Sequence, residues 1–212
     1  MKKMLLALSL VSAMALYADD AAAKKDQAPA KADAPAAKAD APAVKADKFW
    51  QNSDFSQWAK FNRNPKMTLE AKDDTMPAFW ILNMFTGKIS METKEDNPQD
   101  KYLKLTDCRI YQENKGTAKK YRVVLDAKGT GTLDVYVNRY TRVSPRPGYY
   151  STGKGLGARK VLTVQPTADK WQTFKGEVSK DDAQEILGFV LWAKGEICID
   201  NMYVFPVDDE AK

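Results

Sequence analysis

Apolar and polar residues alternate along much of this chain. Between Thr132 and Tyr140, Leu133, Val135 and Val137 fall on one side of an extended backbone, and Asp134, Tyr136, Asn138 and Tyr140 on the other. A Gly-rich turn, Lys128-Gly129-Thr130-Gly131, separates this run from residues 121–127, so the two predict a hairpin. Shorter β-type runs occupy 78–83, 88–92, 102–106, 109–112, 160–164, 171–174 and 186–192, with turn residues between them. The run 195–206 closes the series, rich in β-branched, aromatic and aliphatic side chains and interrupted by one charge, Asp200. Residues 141–158 hold two prolines, four glycines, Tyr149 and Tyr150, and read as a long loop. No stretch of helical period is present; residues 181–185 suit a single turn. Many short strands without helices to cover a parallel sheet predict an all-β fold, an antiparallel β-sandwich of jelly-roll type. Closure of such a fold gives the last strand a central place.

The N-terminal part has a different pattern. Residues 1–18 join a basic start to a short apolar run and small residues, the marks of a signal peptide; the run is shorter than the ~20 residues a membrane span needs. Residues 19–47 form an Ala/Pro/Lys/Asp-rich linker: Lys31-Ala32-Asp33-Ala34-Pro35-Ala36-Ala37 returns as Lys38-Ala39-Asp40-Ala41-Pro42-Ala43-Val44. A segment so poor in large apolar groups stays a solvated, disordered tether. The folded domain is expected over 48–207, which contains all five Trp and all eight Phe, with 208–212 as a tail. The expected location is secreted, periplasmic or on the cell surface, with no stable membrane span after signal removal.

Charge and composition narrow the chemistry. A net charge of +5 is too small to point to nucleic acid. The absence of His removes the commonest general base and the usual triads and zinc sites. Cys108 and Cys198 are the only cysteines. In an exported domain an even number raises the expectation of a disulfide, the alternative being two buried free thiols.

The order of motifs resembles the CenC-like carbohydrate-binding modules, of the galactose-binding-domain-like superfamily. Asn52-Ser53-Asp54-Phe55-Ser56 followed by Trp58 is similar to the family's opening. Residues 103–112 resemble its strand ending in a v-x-Q segment, and Tyr121 onward its Y-x-v-s strand. Trp171-Gln172-Thr173-Phe174 resembles its W-x-x-f strand, and Ile199-Asp200-Asn201-Met202-Tyr203-Val204 its terminal i-D-d/n-v-x-l strand. The resemblance implies a two-sheet jelly roll with glycan on the concave sheet or the loop rim. It also implies a structural calcium, for which Asp200 and Asp54 are the candidates; Ser56 stands where the family has Glu. Asp200 has the alternative of accepting backbone hydrogen bonds near the domain's opening. Trp58 and Trp171 match positions that are usually core.

Sugar recognition needs flat apolar faces and a few fixed polar groups. Tyr136, Asn138 and Tyr140, with Asp134 beside them, supply both on one strand face; their alternative is a structural role at a sandwich edge. Tyr111 with Arg109 and Glu113 makes a second such face, and Trp192 with Lys194 a third, the alternative for both aromatics being core packing. The function expected is a non-catalytic module that binds a polysaccharide or glycan. A structural or adhesive envelope protein that binds protein partners or self-assembles is the alternative. A hydrolase using two carboxylates ~5–9.5 Å apart is a third reading.

Overall fold

The computed structural model describes residues 50–83, 86–146 and 149–207, with backbone alone for 144–151. The signal-peptide, linker and tail assignments, and the side chains of Tyr149 and Tyr150, lie outside the described residues. Thirteen strands are formed among the described residues: β1 (Trp58–Lys60), β2 (Glu70–Ala71), β3 (Thr75–Pro77), β4 (Ile81–Leu82), β5 (Lys88–Thr93), β6 (Lys101–Thr106), β7 (Arg109–Asn114), β8 (Lys120–Gly129), β9 (Thr132–Arg146), β10 (Tyr149–Val164), β11 (Gln172–Ser179), β12 (Ile186–Lys194) and β13 (Glu196–Pro206). They make a five-stranded sheet, β10-β9-β12-β7-β4, and a six-stranded sheet, β11-β8-β13-β6-β5-β2, with β1 and β3 paired as a small ribbon. All pairings are antiparallel except β2 with β5. The chain is an all-β sandwich of jelly-roll type.

Alternation decides which side of each strand enters the core. Leu133, Val135 and Val137 of β9 meet Leu187, Phe189, Leu191 and Ala193 of β12 on the inner side of the five-stranded sheet. Val123, Leu125 and Ala127 of β8, Leu103 and Leu105 of β6, and Ile197 and Ile199 of β13 face them from the other sheet. β13 lies between β8 and β6, the central place expected of the closing strand. Its register slips between Ile199 and Met202, a β-bulge that keeps both of these apolar residues in the core. Asp200 and Asn201 are the residues inside that bulge.

The domain opening is tied to the end of the chain, as the motif order implies. Ser53 carbonyl accepts from the Met202 amide (2.7 Å), and Met202 carbonyl from the Trp50 indole N–H (2.9 Å). Asn52, with φ of +52°, donates to the Gln57 and Ala78 carbonyls and accepts from the Gln57 amide, folding the opening motif onto itself. Trp50 and Trp80 stack edge-on in the core with ring centroids 5.5 Å apart.

Three expectations are corrected. Residues 141–146 and 149–158 are not loop: they continue β9 and β10 as paired strands past Tyr140, with register shifts at Thr152, Gly155 and Gly157 absorbing the irregular residues. Trp171 is not in the core but half-buried outside the six-stranded sheet, edge-on to Tyr102 at 5.3 Å. Cys108 and Cys198 are both free and buried. Cys108 sits in the core, whereas Cys198, between the core residues Ile197 and Ile199, turns to the opposite side of β13, opposite Lys104 and Lys128. A disulfide needs Cβ atoms within about 4.5 Å and pointing towards each other, so this alternation forbids it. Burial pushes the Cys108 thiol up to about 11 and raises Cys198 too, so neither is a ready nucleophile. Thiol titration of the denatured, unreduced protein is expected to give two equivalents; none would restore the bridge.

Candidate functional site

The outer surface of the five-stranded sheet gathers the candidate residues that the sequence left on three separate segments. Register across β9, β12 and β7 sets them in rows: Tyr136–Val190–Tyr111, Asp134–Trp192–Arg109 and Asn138–Gly188–Glu113, with Tyr140 opposite Ile186. Tyr136, Asn138, Tyr140, Asp134, Arg109 and Tyr111 therefore share one face, and Trp192 and Lys194 join them. Tyr111 and Trp192 are half-buried and point outward, away from the core packing that was their alternative. Tyr136 and Trp192 stand 6.2 Å apart with planes tilted by 40°. Tyr140 leans over Gly188: a Cβ there would come within 3.2 Å of the Tyr140 ring. β10 adds Lys160 opposite Tyr136 and Thr163 opposite Asp134, and β4 adds Ile81 opposite Tyr111.

Asp134 is the electrostatic centre of this face. It is almost fully buried and accepts hydrogen bonds from Thr163 Oγ1 (2.7 Å), Lys194 Nζ (2.9 Å) and Lys160 Nζ (3.0 Å). Burial alone pushes its carboxyl up, but these three donors outweigh burial and hold it below the usual carboxylate range. Asp134 is therefore a fixed anchor for two lysines, and its lone pairs are largely taken. The cations in turn lie beside the aromatic rings. Lys194 Nζ is 4.6 Å and Arg109 Cζ 5.4 Å from the Trp192 ring centroid, and Lys160 Nζ is 5.3 Å from that of Tyr136. Arg109 donates through Nη2 to the Asn83 carbonyl (3.2 Å), while its buried Nε has no acceptor among the described residues. Glu113 pairs with its own neighbour Lys115 at 3.4 Å. Burial raises the Tyr111 hydroxyl above its ordinary range, so it stays protonated and can donate.

Lys160, Thr163 and Val190 were not legible as site residues. A lysine on one strand becomes the neighbour of a tyrosine on another only through register, and the alternation that marks Tyr136 does not name what lies opposite it.

The implied calcium site does not fit the residues present. Asp200 Oδ2 accepts from Lys94 Nζ at 2.6 Å, and the same ammonium reaches Asp100 at 2.7 Å, so a lysine holds the place of a cation. Asp54 accepts from the amide (3.2 Å) and hydroxyl (2.9 Å) of Ser56 instead. Among the described residues no group of three or more His, Cys, Asp or Glu converges. The alternative for Asp200 is corrected as well: among the described residues it meets the Lys94 ammonium and no backbone N–H.

No protein-family sequence model matches this chain, and no curated protein matches it. Solved structures do. One is the N-terminal module pair, a family 22 carbohydrate-binding module with a family 10 catalytic module, of Clostridium thermocellum xylanase 10B with xylohexaose. The likeness there has a TM-score of 0.45 at 12% identity, over 63% of this chain and 27% of that one. A family 4 carbohydrate-binding module gives 0.40 at 18% identity, over 74% of this chain and 98% of that one. A family 61 module in complex with β-1,4-galactotriose gives 0.38 at 14% identity, over 75% and 98%. This chain thus spans about a quarter of the xylanase structure and nearly the whole of the other two. Carbohydrate-binding modules are thus among the solved structures to which this chain is similar.

Proposed function

We propose that the chain is a non-catalytic module that binds a polysaccharide across the outer face of its five-stranded sheet. The observation that carries this reading is the face itself. An outer sheet surface in water is ordinarily polar, yet here Tyr111, Tyr136, Tyr140 and Trp192 occupy its middle, with Asn138 and Arg109 as polar groups among them. Rings on a rigid sheet bury little conformational entropy on binding and offer flat surfaces to pyranose C–H groups. The similarity to carbohydrate-binding sandwiches is in keeping with this.

Binding without hydrolysis is supported by the state of the carboxylates. A glycosidase acid must hold a proton near neutral pH, and Asp134 is held ionised by its two lysines. Glu113 is already paired with Lys115.

Affinity electrophoresis through polysaccharide-containing gels tests the reading. Trp192→Ala and Tyr136→Ala are each expected to weaken retention about tenfold or more without changing the fold, since both side chains stand outside the core; unchanged retention in both would remove this face as the site. A second reading, self-association, rests on the outer edge of β10. That strand pairs only with β9, and residues 154–160 along it are exposed. Concentration-dependent assembly in sedimentation, without retention on any polysaccharide, would favour it.

A further inference from the structure

We infer that the polysaccharide taken by the five-stranded face is anionic, bearing carboxylate or sulfate groups along its length, an inference that rests on the glycan-binding reading above. Three cations, Lys160, Lys194 and Arg109, gather around the aromatic pair Tyr136 and Trp192, and the carboxylate that faces them, Asp134, is shared between the two lysines. Asp134 lies beneath them, with 3% of its side chain exposed, while Lys160 and Lys194 keep 48% and 51% of theirs in solvent. What a ligand meets first is therefore positive charge; the balancing negative charge is below the surface.

The arrangement also bears on a neutral sugar. The Trp192 ring is flanked by an ammonium at 4.6 Å and a guanidinium at 5.4 Å. A neutral pyranose stacked on that ring would have to displace at least one of them, giving up a cation–π contact and returning nothing to the charge. An acidic sugar keeps the cations where they are. Its carboxylate or sulfate oxygens accept from the exposed ammonium groups of Lys160 and Lys194. Glu113, the other carboxylate of this face, is tied to Lys115 and lies in the neighbouring row, beside Gly188 and Asn138. Acidic groups are thus favoured at the Trp192 row and neutral hydroxyls at the Asn138 row.

The test compares polysaccharides that differ only in charge: polygalacturonate against its methyl ester, and sulfated against unsulfated dextran, with neutral xylan and β-1,4-galactan alongside. Two variants of equal net charge are read in parallel. Asp134→Asn/Lys160→Gln/Lys194→Gln removes the cluster while leaving no buried carboxylate unpaired. Lys128→Gln removes one charge from the opposite sheet. The wild type is expected to bind a charged member at least tenfold more tightly than its neutral partner. Raising salt from about 0.05 to about 0.5 M should weaken this binding, as screening shortens the reach of the lysines. The triple variant should lose the preference, and Lys128→Gln should keep it. The carboxylated and sulfated arms say which anion is meant. Equal losses in both variants would reduce the effect to general charge attraction and overturn the inference. Retention on neutral polysaccharides alone would overturn it while leaving the glycan-binding reading in place, and retention on none would overturn both.

Discussion

Replacing Lys94 with methionine is expected to lower the melting temperature by roughly 6–12 °C, the consequence of losing about 3 kcal/mol in a domain of this size. Lys94 bridges Asp200 and Asp100 at 2.6 and 2.7 Å, with 17% of its side chain exposed and 11% of that of Asp200. Burial pushes the Asp200 carboxyl above its ordinary range even with Lys94 present, so desolvation already outweighs the ammonium there. Burial likewise works against the charge on Lys94, but hydrogen bonds to Asp100 and Asp200 more than offset it, and the ammonium titrates above its usual value. Removing Lys94 leaves a buried carboxylate with no counter-charge, which costs more than the pair ever contributed.

The sign of the pH dependence follows. Because Asp200 titrates higher in the folded than in the unfolded chain, the folded state takes up the proton first as pH falls from neutrality, and its contribution to stability grows. The Lys94→Met deficit should therefore shrink on acidification from neutrality, as Asp200 takes up its proton. Melting curves at falling pH check this, and Lys94→Met/Asp200→Asn should recover part of the loss at neutral pH. A deficit independent of pH would show that packing of the lysine stem against Trp171, whose ring centroid is 5.5 Å from Nζ, is what was lost.

Gly129→Ala is expected to destabilise the domain by about 2–4 kcal/mol, from a strained backbone and a steric collision together. Gly129 ends β8 with φ of +144°, a conformation that side-chain-bearing residues rarely adopt, and a Cβ there would lie 2.4 Å from the Glu196 carbonyl oxygen. That oxygen belongs to the backbone of β13 and accepts from the amides of Thr130 and Gly131, so it cannot swing aside. The β8–β9 turn is therefore seated directly on the start of the closing strand. Gly155→Ala is the control: no atom lies within 4 Å of its added Cβ, and it should be neutral in the same denaturation experiment. Equal losses at both positions would show that this contact is not the cause, since the unfolded-chain effect of Gly→Ala is stabilising.

Alternation alone carried much of the fold. The period-two pattern from Thr132 to Tyr140 placed Leu133, Val135 and Val137 inwards and Asp134, Tyr136, Asn138 and Tyr140 outwards, and the structure keeps that division. It did so because side-chain direction in a strand is a local property. The hairpin at Lys128–Gly131 was legible for the same reason, since turn chemistry is written in a few adjacent residues. Local rules failed where pairing extends past a clean pattern. Residues 141–158 carry the glycines and prolines of a loop, yet 141–146 and 149–158 continue as β9 and β10 because each strand supplies the other's hydrogen-bond partners.

The terminal strand shows the division most plainly. Its composition fixed it as a buried strand and marked Asp200 as a charge in need of a partner. Which partner was a tertiary matter: Asp200, next to the inward Ile199, faces away from the core, and Lys94, more than a hundred residues away in the chain, meets it there. The two cysteines were separated by the same alternation, one in the core and one behind β13. The candidate site followed this rule too. The sequence by itself named its aromatic members on three segments, because outward-facing rings leave a local pattern. Only the register of β10, β9, β12 and β7 gathered them on one face and set Lys160 beside Tyr136 and Arg109 beside Trp192, because charge proximity across strands depends on pairing, which no single stretch of chain encodes.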